Sequence, residues 1–508
     1  MTCFAKTIRW LLILSLILGV LGCFVPMTAW CVEHPINSKT VRDAVEDELL
    51  MDIAVDSRQI DVFCKEGIVT LEGIVNNILA KERTGRIAET VKGVRAVINK
   101  IRVLPAASRT DSEIKDDVIN SLLLDPATDS YEIDVSVNNN VATLTGTVQS
   151  WQERQLCENV AKGVNGVTAV INGIGVEYKT TRSDPEIEKE IEKILKWDVL
   201  VDHVLIDVRV DSGKVTLSGI VGSAAEKSIA VNDAYIPGVK SVDSKYLEVK
   251  KWARDDDLRK SKYVAKSNQE IYDAVKDALM YDPRVFSFNV KPEVSKGVVT
   301  LRGSVDNLKA KHSAAQDARN TVGVLTVINR IKVRPKSPVT DDKIKEKVQR
   351  ALTRDPYVEH YEISVISING IVDLYGVVDS YFEKIQAGDV ASRVKGVVAV
   401  DNNITVDDGY MSYYHSPYVD DWYVYDYDWY HHVPLHTDKS DAKIKEDIED
   451  ELFWSPFVDS DDVSVSVENG VATLTGNVNS SSEYFAATEN AYEGGATFVE
   501  NDLIIVTQ

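Results

Sequence analysis

Apolar residues recur at every fourth position in several stretches, as at Ile114, Val118 and Leu122 and again at Ile444, Ile448 and Leu452. That spacing lays one apolar stripe along a helix. Each stretch opens on a Ser or Thr beside an Asp or Asn: Thr110-Asp111, Ser183-Asp184, Ser267-Asn268, Thr340-Asp341 and Ser440-Asp441, with Asn37-Ser38 in reversed order. Glu113, Glu186 and Glu270 stand three residues after their Ser or Thr, completing capping boxes that mark helix starts. Asp125-Pro126, Asp282-Pro283 and Asp355-Pro356 mark the stops, because a residue before proline disfavours the helical region. Strict alternation follows, as in IDVSV at 133 and ISVIS at 363. A turn residue and a second alternating run come next, which predicts a β-hairpin.

The second run is nearly the same phrase six times: GIVTLEGIV at 67, NVATLTGTV at 140, KVTLSGIVG at 214, GVVTLRGSV at 297, GIVDLYGVV at 370 and GVATLTGNV at 470. Its second glycine, Gly73, Gly146, Gly219, Gly303, Gly376 and Gly476, recurs at a step of 73 residues, lengthened only before the fourth and sixth copies. A fixed step of this kind is the signature of an array of copied units. Glycine weakens a strand interior, so its recurrence predicts a bulge or a close approach of the next helix. Gly67, Gly297, Gly370 and Gly470 at the turn, with Asn140 in the second copy, fit a position of positive φ. Beyond the phrase, Ala88, Ala161, Ala234, Ala318, Ala391 and Ala491 give a second helix a face of small side chains, and Cys157 belongs to that face as a small buried residue. Gly93, Gly166, Gly323 and Gly396 end this helix. A last strand, such as AVINKIRV at 96, then closes each unit by a right-handed parallel crossover.

The expected fold class is therefore α+β: a tandem array of small αββαβ domains, each a three-stranded mixed sheet packed by two helices. The repeats are expected at 38–104, 110–178, 183–249, 267–334, 340–407 and 440–506, with a basic linker at 250–266 and an aromatic, acidic insert at 408–439.

The N-terminus points to export. Lys6 and Arg9 precede the apolar run WLLILSLILGVLG at 10–22, which has the make-up of a secretion signal within residues 1–30. VLGC at 20–23 resembles a lipobox and makes Cys23 the lipidation candidate. Cleavage near Ala29 and retention as an uncleaved anchor are the alternatives. Cys31, Cys64 and Cys157 form no metal or disulfide spacing.

The formal net charge of −22 excludes a generic nucleic-acid binder, whose footprint is a basic stripe. The charge is uneven: residues 408–508 hold 21 Asp or Glu against Lys439, Lys443 and Lys445. Contact with an anionic headgroup would thus fall to the first five repeats.

In element order, invariant glycine and spacing, the units resemble the BON domain, a family of bacterial envelope modules. The resemblance implies binding of phospholipid or other envelope components, chaperone-like or protective roles in the periplasm, no catalysis and no cofactor. It also implies that a second helix can carry membrane contact. On that expectation the candidates are Lys81, Arg83, Arg86 and Lys92 in repeat one and Lys309, Lys311 and Arg319 in repeat four; an ordinary solvated helix face is the competing reading.

The insert holds His431, His432 and His436 near Asp426 and Asp428, but Pro434 breaks the helix that would align two of the histidines, so no metal site is expected. DSDD at 459–462 lacks the glycine and distal glutamate of a calcium loop. No nucleophile elbow, P-loop or HExxH is present. Two readings follow: an envelope binder, anchored to the outer membrane through Cys23, whose weak sites add by avidity, or a spacer whose insert and acidic last repeat recognise a protein or glycan.

Overall fold

The computed structural model describes residues 36–406 and 439–506, apart from short stretches at 53, 106–107, 126, 129–131, 179–181, 255–261, 263, 283–284, 286–288 and 359–362. Cys23, about half of the 250–266 linker and nearly all of the 408–439 insert lie outside the described residues. The described chain contains twelve α-helices and six separate mixed sheets, two helices and one sheet to each repeat. None of these helices is long and apolar enough to cross a membrane.

Repeat two shows how sequence becomes structure. Thr110 and Glu113 cap the opening helix Asp111–Leu124 reciprocally, and Ile114, Val118 and Leu122 are all buried on one face. Strands Ile133–Asn138 and Val141–Val148 pair antiparallel through a turn in which Asn139 and Asn140 both have positive φ, the geometry that matches the twist of a tight hairpin. The second helix, Trp151–Lys162, crosses over, and strand Ala169–Val176 adds parallel to the central strand. Repeat one interrupts its last strand after Asn99, and repeat three carries a bulge between Asp243 and Tyr246.

The invariant glycine has a different cause from the one expected. A Cβ on Gly73, Gly146, Gly219, Gly303 or Gly476 would come within 1.8–2.4 Å of a carbonyl oxygen just before the first strand, that of Gln59, Glu132, Leu205, Asn289 or Asp462. The close approach is therefore made by the entering strand, not by the following helix. Positive φ at all six glycines adds a second reason for their lack of a side chain.

Two further devices hold each unit. The residue after the N-cap clamps the hairpin turn: Asp111 accepts the Asn139 and Asn140 amides, each at 2.9 Å, and Asp184, Asp341 and Asp441 do the same for their own turns. Ser38 and Asn268 each accept one such amide. An asparagine in the last strand, Asn99, Asn172, Asn329, Asn402 or Asn501, donates to a carbonyl of the second helix and accepts the amide two residues on.

The repeats belong to one compact unit, Asn37–Gln508. They associate in nested pairs, and the contact is made by helix ends. The last carbonyl of an opening helix lacks an intrahelical donor, and here a partner repeat supplies one. The Lys92 amide of repeat one donates to Trp454 O of repeat six at 2.9 Å, Asn165 of two to Arg354 O of five at 2.8 Å, Lys395 of five back to Leu124 O of two at 3.4 Å, and Val322 of four to Trp197 O of three at 2.9 Å.

Candidate binding surfaces

The second helices of repeats one to three, Ile78–Glu89, Trp151–Lys162 and Ala224–Asp233, meet one another in a ring. Lys162 pairs with Glu82 at 2.6 Å, the Ser228 hydroxyl donates to Glu89 at 3.0 Å, and Tyr235 stacks on Trp151 with ring centroids 4.0 Å apart. Glu89, Lys162 and Tyr235 are equivalent residues, one repeat step apart, so the three junctions are turns of one approximate three-fold arrangement. In the other three repeats Lys309 pairs with Asp389 at 2.7 Å, and the Ser481 hydroxyl donates to Val324 O at 3.2 Å.

This placement corrects the expected basic face. Arg83 is only 2% exposed, its Nε lies 2.6 Å from Asp52, and its guanidinium lies over the Phe382 ring of repeat five. Lys309 is 7% exposed and joined to Asp389. Both are internal ion-pair members and neither is presented to a headgroup. Lys92 lies over the Phe453 ring of repeat six, and Lys81, Arg86, Lys311 and Arg319 are half-buried. The structure does not gather the seven residues into one open surface, because the helices that carry them pack against other repeats.

What faces outward is the side of each sheet that the helices leave uncovered. In repeat five, Val365, Val372 and Leu374 point into the core, while Ile366, Ile368, Ile371, Tyr375 and Val377 alternate onto the other face. Ile368 is 59% and Tyr375 44% exposed. Ile368 stands directly opposite Ile371 across the hairpin. Phe63 and Ile98 in repeat one, Tyr246 in repeat three and Phe498 in repeat six are also exposed. Clustered apolar residues on a sheet face mark a contact surface. The period-two alternation is visible in the sequence, but the charge pattern carries no signal for these apolar residues on the outward positions.

Two interior features accompany this surface. A cavity of about 1000 Å³ lies between repeats one to four, with Leu156, Ile194 and Ile236 among its apolar walls. Where repeats one and six meet, carboxylate oxygens of Glu48, Glu451 and Glu493 lie within 4.8 Å of one another. Burial, then the neighbouring Glu48 charge, pushes the Glu493 carboxyl up to about 8, and the same two causes raise Glu451 well above the usual carboxylate range. Cys157 is fully buried, and burial raises its thiol to about 12, which makes it a packing residue in the reduced form.

The BON domain pattern matches residues 37–105, 110–178, 183–251, 267–335, 340–408 and 440–507. The chain is similar to Osmotically-inducible protein Y of Escherichia coli K12, with 32% identity over 130 residues, which is 24% of this chain and spans 63% of that protein. Among solved structures, the C-terminal domain of CdsD, the structural protein of the Type III secretion system of Chlamydia trachomatis, aligns with 13% identity over 45% of this chain and all of that one, at a TM-score of 0.12. With repeated αββαβ units, an invariant glycine seated against the entering strand and a six-fold pattern match, the chain belongs to the BON domain family.

Proposed function

We propose that this is a noncatalytic protein of the bacterial cell envelope that binds phospholipid or envelope protein clients in the periplasm, held at the outer membrane by a lipid on Cys23, and supports envelope integrity under osmotic stress. The observation that carries the reading is the apolar outer sheet face of repeat five, with Ile366, Ile368, Ile371, Tyr375 and Val377 on one side of one hairpin. Such a face takes acyl chains or apolar segments of a client, and its binding depends on buried area more than on charge. The name of the E. coli relative speaks of osmotic induction of that protein, and we extend the same setting to this chain.

Against a spacer role stands the pairing of repeat one with repeat six, since copies that fold back on each other add no reach. Vesicle co-sedimentation of the full chain tests the reading. Binding to neutral and anionic vesicles should persist at raised salt and fall at least tenfold in the Ile368→Asp/Tyr375→Asp variant. Loss of binding on adding salt, with the variant unaffected, would sink the apolar-face reading.

A further inference from the structure

A small cavity of about 120 Å³ lies where repeats one, two, four and five come together. Arg354, the last residue of the opening helix of repeat five, lines it and is only 6% exposed. Its backbone carbonyl is taken by Asn165, and among the described residues its guanidinium makes no hydrogen bond and no ion pair. The carboxylate that acts on it electrostatically is Asp117, which Arg109 already holds at 2.6 Å. Arg86 of repeat one lines the same cavity, with its Nε buried and lacking a hydrogen-bond partner among the described residues. A charge removed from water needs a partner of opposite sign or fixed dipoles around it.

The other charged groups of the wall are already engaged. Glu82 is held by Lys162 at 2.6 Å, and Lys309 and Arg393 both face Asp389. Asp355 accepts the Tyr357 amide at 2.9 Å and Gln386 at 2.7 Å, and Asp125 accepts the Ala127 amide at 2.8 Å. Two arginines from different repeats therefore line one space, and among the described residues neither holds a carboxylate in an ion pair of its own.

We infer that this cavity binds one small tetrahedral oxyanion of the phosphate or sulfate type, with Arg354 and Arg86 as its ligands. Guanidinium groups suit such an ion because each can offer paired N–H donors to two of its oxygens. The small volume suits a free ion. At about 10–15 Å³ for each water held, the space takes an oxyanion and a few waters, and an acyl chain has no room. Bound there, the ion ties repeat one to repeat five and so stabilises the closed arrangement.

The test uses the full-length protein. Thermal unfolding is followed in inorganic phosphate, sulfate, chloride and acetate at matched ionic strength, with equilibrium dialysis against radiolabelled phosphate as the second measurement. Phosphate and sulfate should raise the melting temperature and chloride and acetate should not. Arg354→Met should weaken phosphate binding at least tenfold, and Arg86→Met should do so independently. Saturating phosphate should leave vesicle co-sedimentation unchanged, because the interior site is not a headgroup site. Equal shifts with all four anions, unaltered phosphate binding in both variants, or competition between phosphate and anionic vesicles would each overturn the assignment.

Discussion

At Gly303 a methyl group would stand 1.8 Å from the Asn289 carbonyl oxygen, and nothing flexible lies between them. Relief requires the entering strand to move, so Gly303→Ala should destabilise repeat four by roughly 2–4 kcal/mol in a denaturant titration, a large single-site effect with a backbone cause. The turn clamp is a second residue-scale device. In Asp111→Ala the Asn139 and Asn140 amides lose their acceptor, and hydrogen exchange at those two positions should accelerate while the rest of repeat two stays protected. Arg83 supplies a third case. Its removal in Arg83→Ala leaves Asp52 buried without this ion pair, which should cost about 3–5 kcal/mol and leave vesicle binding unchanged. That outcome separates an internal ion pair from a lipid contact.

Among elements, the opening helix and the hairpin were legible because their signals are local. The capping boxes at Thr110, Ser183 and Ser267 form as the spacing requires, and Asn37 with Thr40 and Ser150 with Glu153 add two the spacing rule did not single out. The Ser/Thr-Asp doublet signals a cap, yet its second member acts across the unit on the hairpin turn, a contact between residues 28 apart for Asp111 and Asn139. The second helix is the element whose surroundings the sequence pattern reveals least. A mixed-charge face looks solvated when its partners are unknown, and the partners of Arg83 and Lys309, Asp52 and Asp389, come from another part of the fold or another repeat. Charge alone does not say which face is covered. The exposed sheet faces, by contrast, follow from alternation once the helices are known to cover only one side.

For the whole molecule, the junction of repeats one and six is a titratable seam. Glu48, Glu451 and Glu493 face one another there, with Asp47 and Asp450 nearby, and Asn490 donates to Glu493 at 2.9 Å. Because the Glu493 carboxyl is raised to about 8 in the fold, the folded state keeps a proton that the unfolded chain releases near the ordinary glutamate value. Its contribution is thus fully present at acid pH and is lost progressively as pH rises toward about 8. Glu493→Gln should therefore flatten the fall in melting temperature over that window and raise stability at its upper end, read by calorimetry from pH 5 to pH 9. A variant whose melting temperature falls with pH as steeply as that of the parent would show that the seam does not titrate in this range.

The nested order of the pairs also bears on how the chain is made. Ribosomes deliver repeat one first and repeat six last, so the earliest unit to emerge waits longest for its mate. Repeats three and four, neighbours in the chain, are free to join as soon as both are out, and they form the natural seed. Repeats five and six then close outward onto copies already present, like the teeth of a zip drawn from its middle. An export route that releases the N-terminal half early would therefore deliver three folded units with their mating ends still open.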